Sequence, residues 1–317
     1  MYSKEFVELA LKELSCSQKE LAEHLEVSPT QITKWKKGER MSDEMEDKFR
    51  EITNIGDRSP RLVLFTGSVE DADKWDELIH NLANDAQDES ESDFNTITLQ
   101  DEYGDLSEDT FRILKNMGVE IPKTFPKELE FDYDEADDND YQKIYENPFT
   151  RLICAIYDSC TYVYGFYAAY IEELFEDEEL DLYMTAAENI EPCLLSLAAS
   201  KVDVDEKFAP KIRKFRMDIN KDFEEWLNIV KEKAFRAGKP LRAELLNLIN
   251  HSNELLCDEA EAESLGFNST QLHPDIYMNE LLVGVRAANK ALEHIMKKLE
   301  IDGDFKLDES DFTLHQT

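Results

Sequence analysis

The chain has 317 residues, of which 71 are acidic and 35 basic, giving a formal charge of −36 with 42% apolar residues. That apolar share supports a buried core and excludes wholesale disorder, while the charge excludes a chain that binds nucleic acid over most of its surface. The imbalance is uneven: residues 1–55 hold 9 Lys/Arg and 12 Asp/Glu, and the remainder holds 26 and 59. A near-neutral head is therefore joined to a strongly acidic body.

The expected fold class is mainly α, with an N-terminal helix-turn-helix domain over 1–55, a small α/β module over 60–123, an antiparallel helical bundle over 141–301 and an acidic tail over 302–317. The head, from residue 3, reads as four or five short helices. Gly56-Asp57-Arg58-Ser59-Pro60 has turn chemistry and reads as a hinge. In the module, Arg61 to Thr66 is a β-type run, Asn95 to Leu99 a second strand, and Val119 to Ile121 a third. Asp71 to Ala83 and Glu108 to Met117 are the helices between them. Asp85 to Asp93 and Asp132 to Asp140 read as solvated acidic loops.

From Tyr141 the pattern is helical. Leu152 to Ile171 is the most apolar stretch, but Asp158 interrupts it. Its longest charge-free run, Ser159 to Ile171, has 13 residues, short of the roughly 18–20 that a membrane span needs. It reads as a buried helix, and no membrane association is expected. Ile212, Phe215, Ile219, Phe223, Trp226, Leu227 and Val230 trace one helical face, which Gly238 and Pro240 end. A second stripe runs from Leu241 to Leu255. A third, from Met278 to Leu299, is amphipathic and is the expected self-association element of a homodimer.

The chemistry-bearing residues concentrate in Cys16 to Arg40. Ser17 has the character of an N-cap, and Glu20 completes a capping box with it. Leu21, Ala22 and Leu25 share a face, with Ala22 small enough for two helices to cross closely. Val27 closes the turn. Ser28 caps a second helix with Pro29 at its first position and Gln31 as capping partner. Ile32 and Trp35 face inward, Thr30, Thr33, Lys34 and Lys37 face outward, and Gly38 ends the helix.

These residues resemble the helix-turn-helix of the Cro/C1 repressor family, also called the XRE family. The likeness rests on Ser17-Gln18-Lys19-Glu20-Leu21-Ala22, Val27-Ser28, the spacing of Ile32 and Trp35, and Lys37-Gly38. It covers about residues 3–55. Glu26 departs from the pattern, since the family usually has Gly at this left-handed turn position. The resemblance implies that the second helix enters the major groove of double-stranded DNA. Thr30, Thr33 and Lys34 then face base edges with Gln31 beside them, Lys34 reading guanine O6 and N7. Gln18 and Ser28 meet phosphates at helix N-termini, and Lys36, Lys37 and Arg40 add charge.

Elsewhere the sequence offers little chemistry. Carboxylates are too numerous for any pair to stand out. The six histidines show no metal-ligand spacing, and His24 reads as solvated. Asp132 to Asp137 lacks the glycine of a calcium loop. Thr66-Gly67-Ser68 reads as a strand-to-helix connection rather than a phosphate turn, because no lysine follows and acids do. Tyr157, Tyr162, Tyr164, Tyr167 and Tyr170 crowd one helix and read mostly as core. No cofactor, metal or catalytic constellation is expected. Cys16, Cys154, Cys160, Cys193 and Cys257 are scattered, which fits reduced thiols in a cytoplasm, and the first residues have no signal-peptide character. The expectation is a dimeric, cytoplasmic, sequence-specific transcriptional regulator, a repressor in class and not an enzyme. The alternative is a protein-interaction module, such as an antitoxin, an anti-defence factor or a DNA mimic, whose acidic 60–317 region takes a basic protein partner while the head autoregulates its gene.

Overall fold

The computed structural model describes residues 2–90, 94–267 and 274–299. Among them there are helices and no strands. In chain order the α-helices are α1 (Ser3–Glu13), α2 (Gln18–His24), α3 (Pro29–Lys36), α4 (Asp43–Thr53), α5 (Pro60–Thr66), α6 (Val69–Asp88), α7 (Ile97–Gln100) and α8 (Leu106–Met117). They continue as α9 (Asp138–Glu146), α10 (Pro148–Tyr170), α11 (Glu172–Glu176), α12 (Leu194–Lys201), α13 (Ile212–Ala237), α14 (Asn247–Asn250), α15 (Asn253–Ser264) and α16 (Pro274–Lys298). The expected tail over 302–317 lies outside the described residues.

The α/β module is overturned. Residues 61–66 form α5, because the Ser59 hydroxyl accepts from the amides of Arg61 and Leu62 and Pro60 occupies the first turn. A short apolar run carries no periodicity that separates strand from buried helix. A strand also needs a neighbour to satisfy its backbone, and none is at hand. Residues 97–100 make one helical turn, and 119–121 lie in irregular chain after Gly118. The two acidic stretches are also partly helical: α6 runs on to Asp88, and Asp137 caps α9 through the amides of Asn139 and Asp140. The Leu241–Leu255 stripe is broken at His251, where Ser252 opens α15 as its N-cap.

The core of the body is α10. Leu152, Ile153, Ile156, Val163 and Phe166 are buried on it, and α6, α12 and α15 pack around it. Trp75 of α6 is fully buried, its ring centroid 5.6, 4.9 and 5.0 Å from those of Phe111, Phe125 and Phe149. Tyr157, Tyr164, Tyr167 and Tyr170 are buried and Tyr162 is half-buried. Tyr157 shares a 2.7 Å hydrogen bond with the Thr110 hydroxyl. No described helix is long and apolar enough to cross a membrane.

The head has its own aromatic centre, with Phe49 5.9 Å from Phe6 and 6.0 Å from Trp35. It is not hung on a hinge. Arg50 donates to the carbonyls of Gly56 (2.6 Å) and Arg58 (2.9 Å), holding the connecting turn against α4. Arg61 bridges Glu5 of α1 (2.7 Å) and Glu108 of α8 (2.5 Å), and the Ser59 hydroxyl donates to Glu108 at 2.5 Å. Lys12 donates to the Gly67 carbonyl at 2.6 Å. Local turn chemistry announced a bend at 56–60, but long-range ion pairs make that bend a clamp.

A second polar clamp ties α6 to α7. His80 Nε2 lies 2.7 Å from Asp101 Oδ2, and Nδ1 lies 2.7 Å from the Asp76 carbonyl. The Asp101 hydrogen bond raises the His80 pKa from 6.5 to about 9, against the opposite pull of burial. Burial pushes Asp101 upward, yet hydrogen bonds from His80 and from the amides of Leu106 and Asp105 outweigh it and hold the carboxyl below its ordinary range. A raised histidine pKa stabilises the fold fully below the unfolded value of 6.5 and loses that contribution as pH rises through about 9. The lowered carboxyl contributes above its ordinary pKa and is lost in acid. Since the His80 side chain is 38% exposed, solvent screening reduces the pair to about 1–2 kcal/mol. Urea unfolding of His80→Gln is therefore expected to show that deficit at pH 6 and little at pH 10. An equal deficit at both values would overturn the assignment of His80 as a charged partner.

Candidate nucleic-acid interface

Ser17 caps α2. Its hydroxyl accepts from the Glu20 amide (3.3 Å), and the Glu20 carboxylate accepts from the Ser17 amide (2.7 Å). This reciprocal box orients the first helix. At the other end the amides of Val27 and Glu26 donate to the carbonyls of Ala22 (2.9 Å) and Glu23 (3.3 Å), the pairing of a Schellman termination. That pairing requires a left-handed residue, and Glu26 supplies it at φ 55°. The position favours glycine by about 1 kcal/mol, so the turn keeps its shape despite its residue.

Ser28 caps α3 by accepting from the Gln31 amide at 3.2 Å, with Pro29 in the first turn. The expected return bond from the Gln31 side chain to Ser28 is not formed, so this is half a capping box. Ile32 and Trp35 bury the inner face against Phe49 and the rest of the head core. The helix ends as the first did: the amides of Gly38 and Glu39 donate to the carbonyls of Trp35 (2.8 Å) and Lys34 (3.1 Å), with Gly38 at φ 89°. Nothing lies within 4 Å of where a Gly38 Cβ would sit, so conformation alone selects glycine there.

The outer face of α3 carries Thr30, Thr33, Lys34 and Lys37, all exposed. Lys36 and Arg40 are exposed at its margin, Ser28 is exposed at its start, and Gln31 and Gln18 are half-buried beside it. All nine candidate residues thus belong to α2, the cap before α3, α3 itself and the segment after it, and none is buried in the head core. Two are internally committed. The Thr33 hydroxyl donates to the Pro29 carbonyl at 3.0 Å, which turns its methyl group outward from the bond. Lys34 Nζ lies 3.4 Å from Glu39. Glu39 is the member of this surface that the sequence pattern did not mark. It returns to Lys34 because Gly38 reverses the chain, a signal visible only once the left-handed turn is placed.

Lys36, Lys37 and Arg40 have no ion-pair partner among the described residues. The stretch from Lys34 to Arg40 holds four basic residues and one acid on a chain of −36, so its positive field is local. His24, at the last turn of α2, is exposed. Among the described residues no three His, Cys, Asp or Glu side chains are grouped to hold a metal.

What this surface offers is a row of short hydroxyl and long ammonium groups on one rigid helix, flanked by two open helix starts. Compared with known proteins, the chain matches no family model, no curated protein and no solved structure, so its assignment rests on these residues alone.

Proposed function

We propose that the protein is a sequence-specific DNA-binding transcriptional regulator whose α2–turn–α3 unit is a helix-turn-helix of the Cro/C1 type. The observation that carries this reading is the outer face of α3, where Thr30, Thr33, Lys34 and Lys37 stand exposed on a helix fixed at both ends by caps. In this reading α3 enters the major groove, Lys34 exchanges Glu39 for guanine acceptors, and Lys36, Lys37 and Arg40 neutralise phosphates. The acidic body suppresses non-specific attachment, so affinity depends on correctly placed head contacts. The protein acts as a symmetric dimer on two half-sites, as a repressor in the cytoplasm with its thiols reduced.

The test is footprinting of the full chain on its own upstream DNA, with Lys34→Ala beside it. The wild type is expected to protect a discrete site. Lys34→Ala is expected to lose roughly tenfold in specific affinity, the size of one base contact, with unchanged thermal unfolding because Lys34 is exposed. A wild-type chain that protects no discrete site sinks the proposal, as does a Lys34→Ala chain with the same footprint and affinity.

One observation favours a second reading, capture of a basic protein by the body. A groove of about 680 Å³ is lined by Glu102, Asp105, Glu172, Glu176, Glu188 and Glu191, together with Tyr103 and Tyr183, and by no lysine or arginine. Stoichiometric co-purification of a basic partner, lost in Glu172→Lys, would favour this reading over the first.

A further inference from the structure

Helix α16 spans Pro274–Lys298, about 37 Å at 1.5 Å per residue. One of its faces is committed to the body. The Arg286 guanidinium donates to the Phe235 carbonyl of α13 and sits 3.5 Å over the Phe235 ring centroid, and Val283 and Arg286 are half-buried there. A different face carries the apolar residues. Leu281, Val285, Ala288, Leu292, Ile295 and Leu299 follow one another at steps of four and three, and all six are exposed. Leu281 is 46% exposed, Leu292 and Ile295 53%, and Leu299 63%. Scattered surface leucines are ordinary. Six in an unbroken four–three alternation form the seam of a two-helix coiled coil, in which each side chain enters a hole on a facing helix. Gly284 and Ala291 flank the seam and let a second backbone come close.

Charge identifies the occupant. Two chains of −36 repel over most of their surfaces, and an acid-poor helix lessens that repulsion where it lies. Residues 281–299 hold Arg286, Lys290, Lys297 and Lys298 against Glu293 alone. Along the sequence of the helix, the acids come first, at Asp275 and Glu280, and the lysines come last, at 290, 297 and 298. A parallel pair sets like ends together. An antiparallel pair with Leu281 opposite Leu299 sets Glu280 of each helix within about two positions of Lys298 of the other, and a two-fold axis makes that match twice.

We infer that α16 is the self-association element of this protein, pairing antiparallel with α16 of a second copy through Leu281, Val285, Ala288, Leu292, Ile295 and Leu299. Leu281 of each copy then packs near Leu299 of the other, with the axis between Ala288 and Leu292. The inference deepens the dimeric part of the regulator reading and needs no DNA, so the two fail separately. A chain that dimerises through α16 but leaves no footprint sinks only the regulator. A footprinting chain whose dimer ignores α16 sinks only the seam.

The experiment is sedimentation equilibrium of the full chain at micromolar concentration, with Val285→Glu/Leu292→Glu alongside. The wild type is expected to be a dimer, and the variant is expected to weaken it by roughly 100-fold or more through loss of buried apolar surface and gain of like charge. Near-UV circular dichroism of the tryptophans controls for folding, and both positions are exposed in the single chain. Orientation is read from disulfides in a Cys193→Ser background. Leu281→Cys mixed with Leu299→Cys is expected to form a cross-linked pair, and Leu281→Cys alone is not, because its two copies stand roughly 27 Å apart in the antiparallel pair. A monomeric wild type, a dimer indifferent to Val285→Glu/Leu292→Glu, or cross-linking by Leu281→Cys alone each overturns the inference. So does a monomer that floats with anionic phospholipid vesicles, which would make lipid the occupant.

Discussion

Arg61→Ala is expected to destabilise the protein by about 3 kcal/mol, the penalty for leaving a buried ion pair with one partner. The asymmetry of the site sets the size. The Arg61 side chain is 31% exposed and could be lost to water cheaply, but Glu108 is only 6% exposed and Glu5 17%. Removal of the guanidinium strands both carboxylates, one of them deep between α5 and α8 with the hydroxyls of Ser59 and Tyr2 as its remaining donors, neither of which carries the lost positive charge. Burial and the Glu108 contact raise the Tyr2 pKa to about 12, so the phenol stays protonated and supplies no cation. Urea unfolding measures the loss, and hydrogen exchange in α1 locates it, since α1 is what Arg61 holds. Arg61→Met/Glu108→Gln is expected to recover part of the loss, because it removes the stranded charge as well as the cation. An Arg61→Ala chain within 1 kcal/mol of wild type, measured on the scale used for buried pairs, would show that the clamp is only an accident of surface charge.

Gly67→Ala is expected to cost about 3 kcal/mol, and Gly38→Ala only about 1. Both glycines end helices at positive φ, 97° for Gly67 and 89° for Gly38. The conformational penalty is thus the same, and the difference is space. A Cβ on Gly67 would stand 2.6 Å from the Lys123 carbonyl oxygen, a backbone atom that cannot rotate away, whereas a Cβ on Gly38 meets nothing within 4 Å. Relief at Gly67 requires displacing the 119–125 segment, which also carries Phe125 against Trp75. Paired thermal unfolding of the two variants checks the contrast. Equal costs would mean that left-handed strain alone matters and that the Lys123 contact yields freely.

The parts of the fold that could be read in the sequence are those with local causes. Ser17 with Glu20, Ser28 with Pro29, and Gly38 each act over three or four residues, and each stands where its chemistry places it. The strand assignment for 61–66 failed although the same Ser-Pro pair that opens α3 also opens α5. The β-branched look of Val63 and Thr66 outweighed the cap, and an apolar run of that length fits either structure. Leu241 to Leu255 kept helical spacing across a break, because the spacing of apolar residues does not reveal that Ser252 starts a new helix. The candidate interface was largely open to sequence reasoning, since a helix face follows from its spacing. Its electrostatics were not, because the Lys34–Glu39 pair depends on the chain reversing at Gly38. The joining of head to body was hidden for a different reason. Glu5, Arg61 and Glu108 are far apart in sequence, and no local pattern brings them together.

That clamp has a consequence for how two heads would measure a duplex. A head on a slack tether accepts half-sites at several separations, since the tether absorbs the change. Here the turn at 56–59 is tied to Arg50, and α1 is tied through Glu5 to Arg61 and through Lys12 to the Gly67 carbonyl, so a head carries its body's orientation with it. In a pair of such molecules the gap between the two α3 helices becomes a property of the bodies, fixed like the jaws of a caliper. An inserted base pair would turn one half-site away from its reader as well as move it. On the proposed reading, tolerance of operator spacing would be written in the acidic body, away from the helix that meets DNA.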